Sequence, residues 1–200
     1  MMLELGLAEL AVLGLASYQD IKTREIDAWV VALLFLPALA AAYLSWDTPL
    51  YLMSPILGLI LALAMRLTGS GYADSLTIIA LSLFPPFSPV LPTPAVVVLG
   101  AGLSVLGTSI WLFLANRGRP CKMTLAQRLT HICVPREEAL RRSHRYIIGE
   151  VKDLEKYKPP ERIEGDYVLA KYGVPYVAHM ALGFALYLAL YWILTAPRPL

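Results

Sequence analysis

The chain has 200 residues, of which 58% are hydrophobic and only 16% charged, and its formal net charge is +2. With a mean hydropathy of +0.60, this composition excludes an ordinary soluble core and fits an integral membrane protein. Apolar stretches at 3–18, 28–46, 50–67, 75–91, 95–115 and 174–196 approach the roughly 20 residues that a tilted helix needs to cross hydrocarbon.

The first stretch is short and ends in the small-residue string GLAS, as a secretory signal does. No basic residue precedes it, however, and it carries Glu4 and Glu9, so it reads as a retained helix. It leads into QDIKTREID, where Asp20 stands beside Lys22 and Arg24. The second and third stretches follow, the third closed by Arg66 and the small-residue string GSGYADSL, which contains Gly69, Gly71 and Asp74. An acid at the edge of a membrane span costs solvation energy and needs a reason.

The fourth stretch is interrupted by Pro85 and Pro86. Its helix, from Ser75 to Phe84, covers only about 15 Å, so the crossing is expected to finish irregularly through Phe87–Leu91. The fifth stretch is followed by Arg117, Arg119 and Lys122, whereas the connections near 47–49 and 85–94 contain no basic residue. The bias of Lys and Arg puts the odd-numbered loops in the cytoplasm and both termini outside. Asp20 and Asp74, two crossings apart, then face the same compartment.

Residues 116–173 are polar and hold thirteen Lys or Arg against eight acids, a net +5. They read as a cytoplasmic insertion, helical around 124–132 and 136–157 and punctuated by Pro159, Pro160 and Gly165. Positive charge beside a membrane obeys the positive-inside rule or meets anionic lipid, not nucleic acid. Cys121 and Cys133 are the only cysteines. In the cytoplasm they are expected to be free thiols, and with His131 they match no metal-ligand spacing. The final stretch opens with Gly173-Val174-Pro175.

The expected architecture is therefore all-α: a polytopic membrane protein of six transmembrane helices, with the cytoplasmic insertion between spans 5 and 6. It divides into a bundle with the aspartate pair at 1–115, the basic insertion at 116–173, and a last helix with a short outer tail at 174–200. Glu9, Arg66 and His179 are expected to line the bundle interior, pair with one another or lie at the interface, with Arg66 anchoring a helix end. Trp29, Trp46, Trp111 and Trp192 are expected to anchor and pack.

Two carboxylates on one face can share a proton, one activating water and the other protonating a carbonyl oxygen. That is peptide hydrolysis without a metal, cofactor or covalent intermediate. Gly69 and Gly71 would free the backbone for a turn that lets an extended substrate approach. By dipole direction, Asp74 at the start of a helix ionises before Asp20 at the end of one.

The string from Asp20 through Ile21, Arg24 and Ile26, together with Gly69-Ser70-Gly71-Tyr72-Ala73-Asp74, resembles the two aspartate motifs of type IV prepilin peptidases, and within them the archaeal preflagellin and prepilin peptidases. The opening of the last span at Pro175 is also similar. The resemblance implies a GxGD-type aspartic membrane protease with Asp20 and Asp74 catalytic. Its partners would be membrane-anchored pilin-like or archaeal flagellin-like precursors, cut at the cytoplasmic face after a short basic leader. The chain departs from the motifs at Ala73, where many relatives have Gly, and at Asp27, where many have Pro. It also lacks the paired CxxC insert of bacterial relatives, so methyltransfer is not implied. Two alternatives stand beside this reading: a small transporter with Asp20 and Asp74 as a proton relay, and a noncatalytic scaffold.

Overall fold

Apolar runs and their breakers set the elements. A computed structural model describes residues 1–86, 91–149, 160 and 165–195. Its helices are α1 (Met2–Thr23), α2 (Ala28–Ser45), α3 (Met53–Leu67), α4 (Tyr72–Ser82), α5 (Thr93–Ala115), α6 (Leu125–Thr130), α7 (Arg136–Arg141) and α8 (Tyr176–Thr195). The strands are β1 (His131–Pro135), β2 (Tyr146–Ile147) and β3 (Tyr167–Tyr172). The chain forms two compact units, one of residues 1–104 and 175–200, the other of residues 105–174.

In the first unit, Leu13 and Ala16 of α1, Val30 and Leu34 of α2, Ile78 and Leu81 of α4 and Phe184 of α8 share one buried core. The outward residues Leu36, Leu39, Ile56, Leu59, Leu63, Leu99 and Leu182 are apolar and more than half exposed, which suits lipid rather than water. Three helices, Ala28–Ser45, Thr93–Ala115 and Tyr176–Leu194, are long and apolar enough to cross a membrane. The apolar helix α3 has 15 residues and α4 has 11, short of a full crossing. The chain thus reads as a membrane protein, with three helices both long and apolar enough to span among the described residues, where the sequence suggests six.

Because Pro85 and Pro86 follow so soon, α4 ends at Ser82, and the carbonyls beyond it need partners inside a dry bundle. Tyr51 donates its hydroxyl to the Leu83 carbonyl at 2.8 Å. The Thr93 hydroxyl reaches the Phe84 carbonyl at 3.1 Å, and the Tyr187 hydroxyl reaches that of Pro85 at 2.8 Å. Three hydroxyls from different elements thereby hold the broken end of α4. The expected completion of this crossing through Phe87–Leu91 falls mainly on residues 87–90, outside the described residues.

Helices α5 and α8 approach backbone to backbone. A Cβ at Gly100 would lie 2.7 Å from Cα of Gly183, and one at Gly183 would collide with the Val97 carbonyl. Helices α1 and α8 run in opposite directions, since Asp20 meets Val177 at one end and Gly6 meets Leu188 at the other.

The second unit corrects the all-α expectation. It contains an antiparallel three-stranded sheet in the order β1-β3-β2, covered by Leu112 of α5 and Ala139 of α7 over Ile132, Val134 and Ala170. The expected helix at 124–132 is the shorter α6, closed by a capping box in which the Thr124 hydroxyl accepts from the Gln127 N–H and the Gln127 side chain accepts from the Thr124 N–H. The residues after it turn into β1 because His131–Pro135 pairs with residues 167–171, a partner far along the chain. Only residues 136–141 of the helix expected at 136–157 are helical before the chain enters β2, and positions 150–157 lie outside the described residues, as does Pro159.

The expectation of free thiols is also corrected. Cys121 and Cys133 are bonded to each other, with Cα atoms 5.9 Å apart. The cause is positional: β1 buries Cys133 completely, and the loop after α5 returns Cys121 to it. Asn116, next after α5, fixes the same loop, donating to the carbonyls of Arg128 at 3.2 Å and His131 at 2.7 Å and accepting from the Cys133 N–H at 3.1 Å.

Two measurements follow from this packing. Gly183→Ala should lower the thermal stability of the detergent-solubilised protein by about 1–3 kcal/mol, because backbone, not a mobile side chain, blocks the added methyl. In the second unit, burial and then the charge of Lys171 push the His131 imidazole below its ordinary value. The unfolded chain then binds the proton more readily, so stability is lost as pH falls through about 6.5. Chemical denaturation between pH 5 and 8 should show that slope, and His131→Gln should flatten it.

Candidate active site

Asp20 lies on the buried face of α1 that also carries Gly6, Glu9, Leu13 and Ala16, a helical spacing that turns every one of them inward. Its carboxylate is held from two directions. Arg24 Nη1 lies 3.3 Å from Oδ1, while the backbone N–H groups of Val177 and Ala178 donate to Oδ2 at 3.0 and 3.4 Å. Those are the second and third residues of α8, whose N–H groups have no partner within the helix. Pro175, just before α8, has no side-chain acceptor to cap them, so Asp20 does so from another helix.

Arg24 makes this possible through an unusual backbone. It ends α1 at φ 64°, in the left-handed region that glycine ordinarily fills. The next turn is tied to α1 as well. Asp27 caps nothing with its own side chain but accepts from Gln19 Nε2 at 2.8 Å and Trp29 Nε1 at 3.2 Å, and its N–H donates to Gln19 Oε1 at 3.0 Å. Its φ of −58° falls where a proline would hold it.

The second motif is a helix stop followed at once by a helix start. Gly69 has φ 85°. Its N–H reaches the Arg66 carbonyl at 3.1 Å, and that of Ser70 reaches Met65 at 3.0 Å, the paired bonds of a Schellman ending. Gly71, in extended conformation, then precedes α4, and Asp74 falls in the first turn of that helix. Arg66 bridges the stop and the start, its guanidinium 3.5 Å from the centre of the Tyr72 ring and donating to the Ser70 carbonyl at 2.6 Å. It is the helix-end anchor expected of it, and more: it fixes the turn that leads to Asp74.

Asp74 is close enough to Tyr176 for its charge to act on that phenol. Tyr176 is the residue immediately before Val177, so the charge of Asp74 reaches the helix turn that Asp20 caps. Asp20, at the negative end of α1, also faces the positive end of α8, which offsets the dipole contrast expected with Asp74 at the positive end of α4. Of the glycines, Gly69 is accounted for by its left-handed helix stop, whereas Gly71 holds an ordinary extended conformation before α4. The α8 turn and Arg24 were not singled out as site residues by the sequence. Pro175 was the available signal, since a helix opening on proline leaves its first N–H groups for an outside acceptor.

His179 lies one turn into α8, with Nδ1 2.7 Å from Ser104 Oγ, and it feels the charge of Arg24. Among the described residues, no three His, Cys, Asp or Glu side chains are grouped to hold a metal ion. No protein-family model, curated protein or solved structure matches the chain.

The cap makes Asp20 a structural as well as a chemical residue. Asp20→Ala should cost about 1–2 kcal/mol from the lost cap alone, more than Asp20→Asn, which keeps one acceptor oxygen. Thermal melts of both variants in one detergent check the order. Gly69→Ala should cost about 1 kcal/mol through backbone strain.

Proposed function

We propose that this protein is an aspartic endopeptidase of the membrane, with Asp20 and Asp74 as the acid pair. The observation that supports this reading is that both carboxylates act on one helix turn, Asp20 by accepting from the N–H groups of Val177 and Ala178 and Asp74 through its charge on Tyr176. In the reaction, one carboxylate takes a proton from water as its oxygen attacks the peptide carbonyl carbon. The other carboxyl protonates the carbonyl oxygen, and the C–N bond then breaks as the leaving amine takes a proton. Gly69 and Gly71 keep side chains out of the turn before Asp74, where an extended substrate would pass.

The substrate in this reading is a membrane-anchored precursor, pilin-like or archaeal flagellin-like, which loses a short leader at the membrane face. Six crossings and a cytoplasmic site belong to the same proposal, supported by the Lys and Arg bias. The disulfide of the insertion weighs against that side, because such bonds persist in oxidising compartments and, inside cells, chiefly in hyperthermophiles. Sidedness therefore needs its own measurement: maleimide labelling of Thr23→Cys and Thr48→Cys in intact cells should mark the second from outside and the first only after permeabilisation.

The deciding assay is incubation of purified protein with a basic-leader, hydrophobic-helix precursor, read by mass. Asp20→Asn and Asp74→Asn should each abolish cleavage, and the double variant should be no slower than either alone. Near-normal cleavage by Asp74→Asn, which leaves the α8 cap intact, would sink the pair. EDTA should leave the rate unchanged.

A second reading has one observation in its favour. Glu9 is fully buried on the same face of α1 as Asp20, and neither of its carboxyl oxygens has a hydrogen-bond partner among the described residues. Intramembrane acids mark proton pathways, so a transporter with Glu9, Asp20 and Asp74 as a relay is the alternative. Proton flux into liposomes that is lost in Glu9→Gln, without precursor cleavage, would establish it.

A further inference from the structure

The helix α6 carries two exposed leucines, and no activity above uses it. Leu125 and Leu129, four residues apart and so on one side of the helix, are 70% and 37% exposed. Arg117, Arg119, Lys122 and Arg128, near them in sequence, are all exposed. The described part of the insertion, residues 116–149 and 165–173, has nine Lys or Arg against three acids. Exposed apolar residues in a strongly basic segment are what an anionic bilayer complements.

Its position agrees with that partner. Helix α5 has the length and apolarity of a membrane crossing, and Trp111 near its end is 51% exposed, where interfacial aromatics sit. Asn116, the next residue after α5, bonds the carbonyls of Arg128 and His131. The Cys121–Cys133 bond closes the loop between them. Both ties are within one unit of the structure. They keep α6, about 9 Å long, next to the end of the crossing and prevent it from swinging into solvent.

We propose that α6 and its flanking cations form an interfacial anchor that binds anionic phospholipid headgroups, with Leu125 and Leu129 inserted among the acyl chains and the Asn116 and disulfide ties setting its depth. This proposal is independent of the peptidase reading.

The test uses the full chain in nanodiscs of phosphatidylcholine alone or with 30% phosphatidylglycerol. A spin label at Leu129→Cys, with the native cysteines bonded to each other, should be reached by oxygen in preference to a water-soluble nickel chelate in the anionic discs. It should then resemble a label at Leu103→Cys, and differ from one at Glu137→Cys. Leu125→Cys repeats the measurement at the other end of the face. In native mass spectrometry, retained phosphatidylglycerol should fall at least about tenfold when Arg117, Arg119, Lys122 and Arg128 are changed together to Gln, and should fall with salt. Two results would overturn the proposal: labels at both positions that behave like the one at 137 or are shielded from both reagents, as a second copy of the chain would shield them, or unchanged lipid retention in the fourfold variant.

Discussion

One carboxylate capping a helix to which it does not belong organises the first unit. The open N–H groups at the start of α8 face the bundle, and a buried donor left without a partner costs about 1–3 kcal/mol. Asp20 supplies the acceptor from α1, and Arg24 balances the charge thus buried. That single arrangement joins parts of the chain separated by 157 residues and brings the start of α8 within reach of the charge of Asp74. An acid that caps a helix and an acid that could share a proton are here the same residue, so fold and chemistry at this position are not separable.

The same rule of satisfied backbone governs the middle of the bundle. Pro85 and Pro86 stop α4 well before a crossing is complete, which in water would be an ordinary helix end. In a dry interior, each freed carbonyl needs a donor, and Tyr51, Thr93 and Tyr187 provide them from α3's approach, α5 and α8. Polar side chains that look misplaced in apolar runs thus serve the backbone. Phe84, stacked edge-on against Phe184 at 5.0 Å, closes the apolar space beside them.

The insertion solves a different problem. A stretch of this size has little apolar area to bury, and its core is small: Leu112, Ile132, Val134, Ala139, Tyr146 and Ala170. Cross-links replace bulk. Asn116 ties the helix end to β1, and a disulfide does the same one loop further on, restricting the unfolded chain in a way that stabilises small domains by about 2–4 kcal/mol.

How far the sequence could be read depended on the range of the interaction. The helices of the first unit, the prolines that end α4, the turn at Gly69 and the capping box at Thr124 all follow from residues within one or two turns of each other, and local patterns reveal them. The disulfide and the sheet do not, because Cys133 and His131–Pro135 find partners in a returning loop and in residues 167–171, and nothing local distinguishes a helical from a paired outcome there. Asp20 and Asp74 stood out by themselves, as acids at the margins of apolar runs. Their common neighbour, the first turn of α8, did not, since its contribution is backbone N–H, which every residue but proline possesses. Local sequence therefore determined which segments are helical and which acids are out of place; only tertiary packing decided what those acids meet, because that depends on which helix end is left with open donors and which neighbour can reach them.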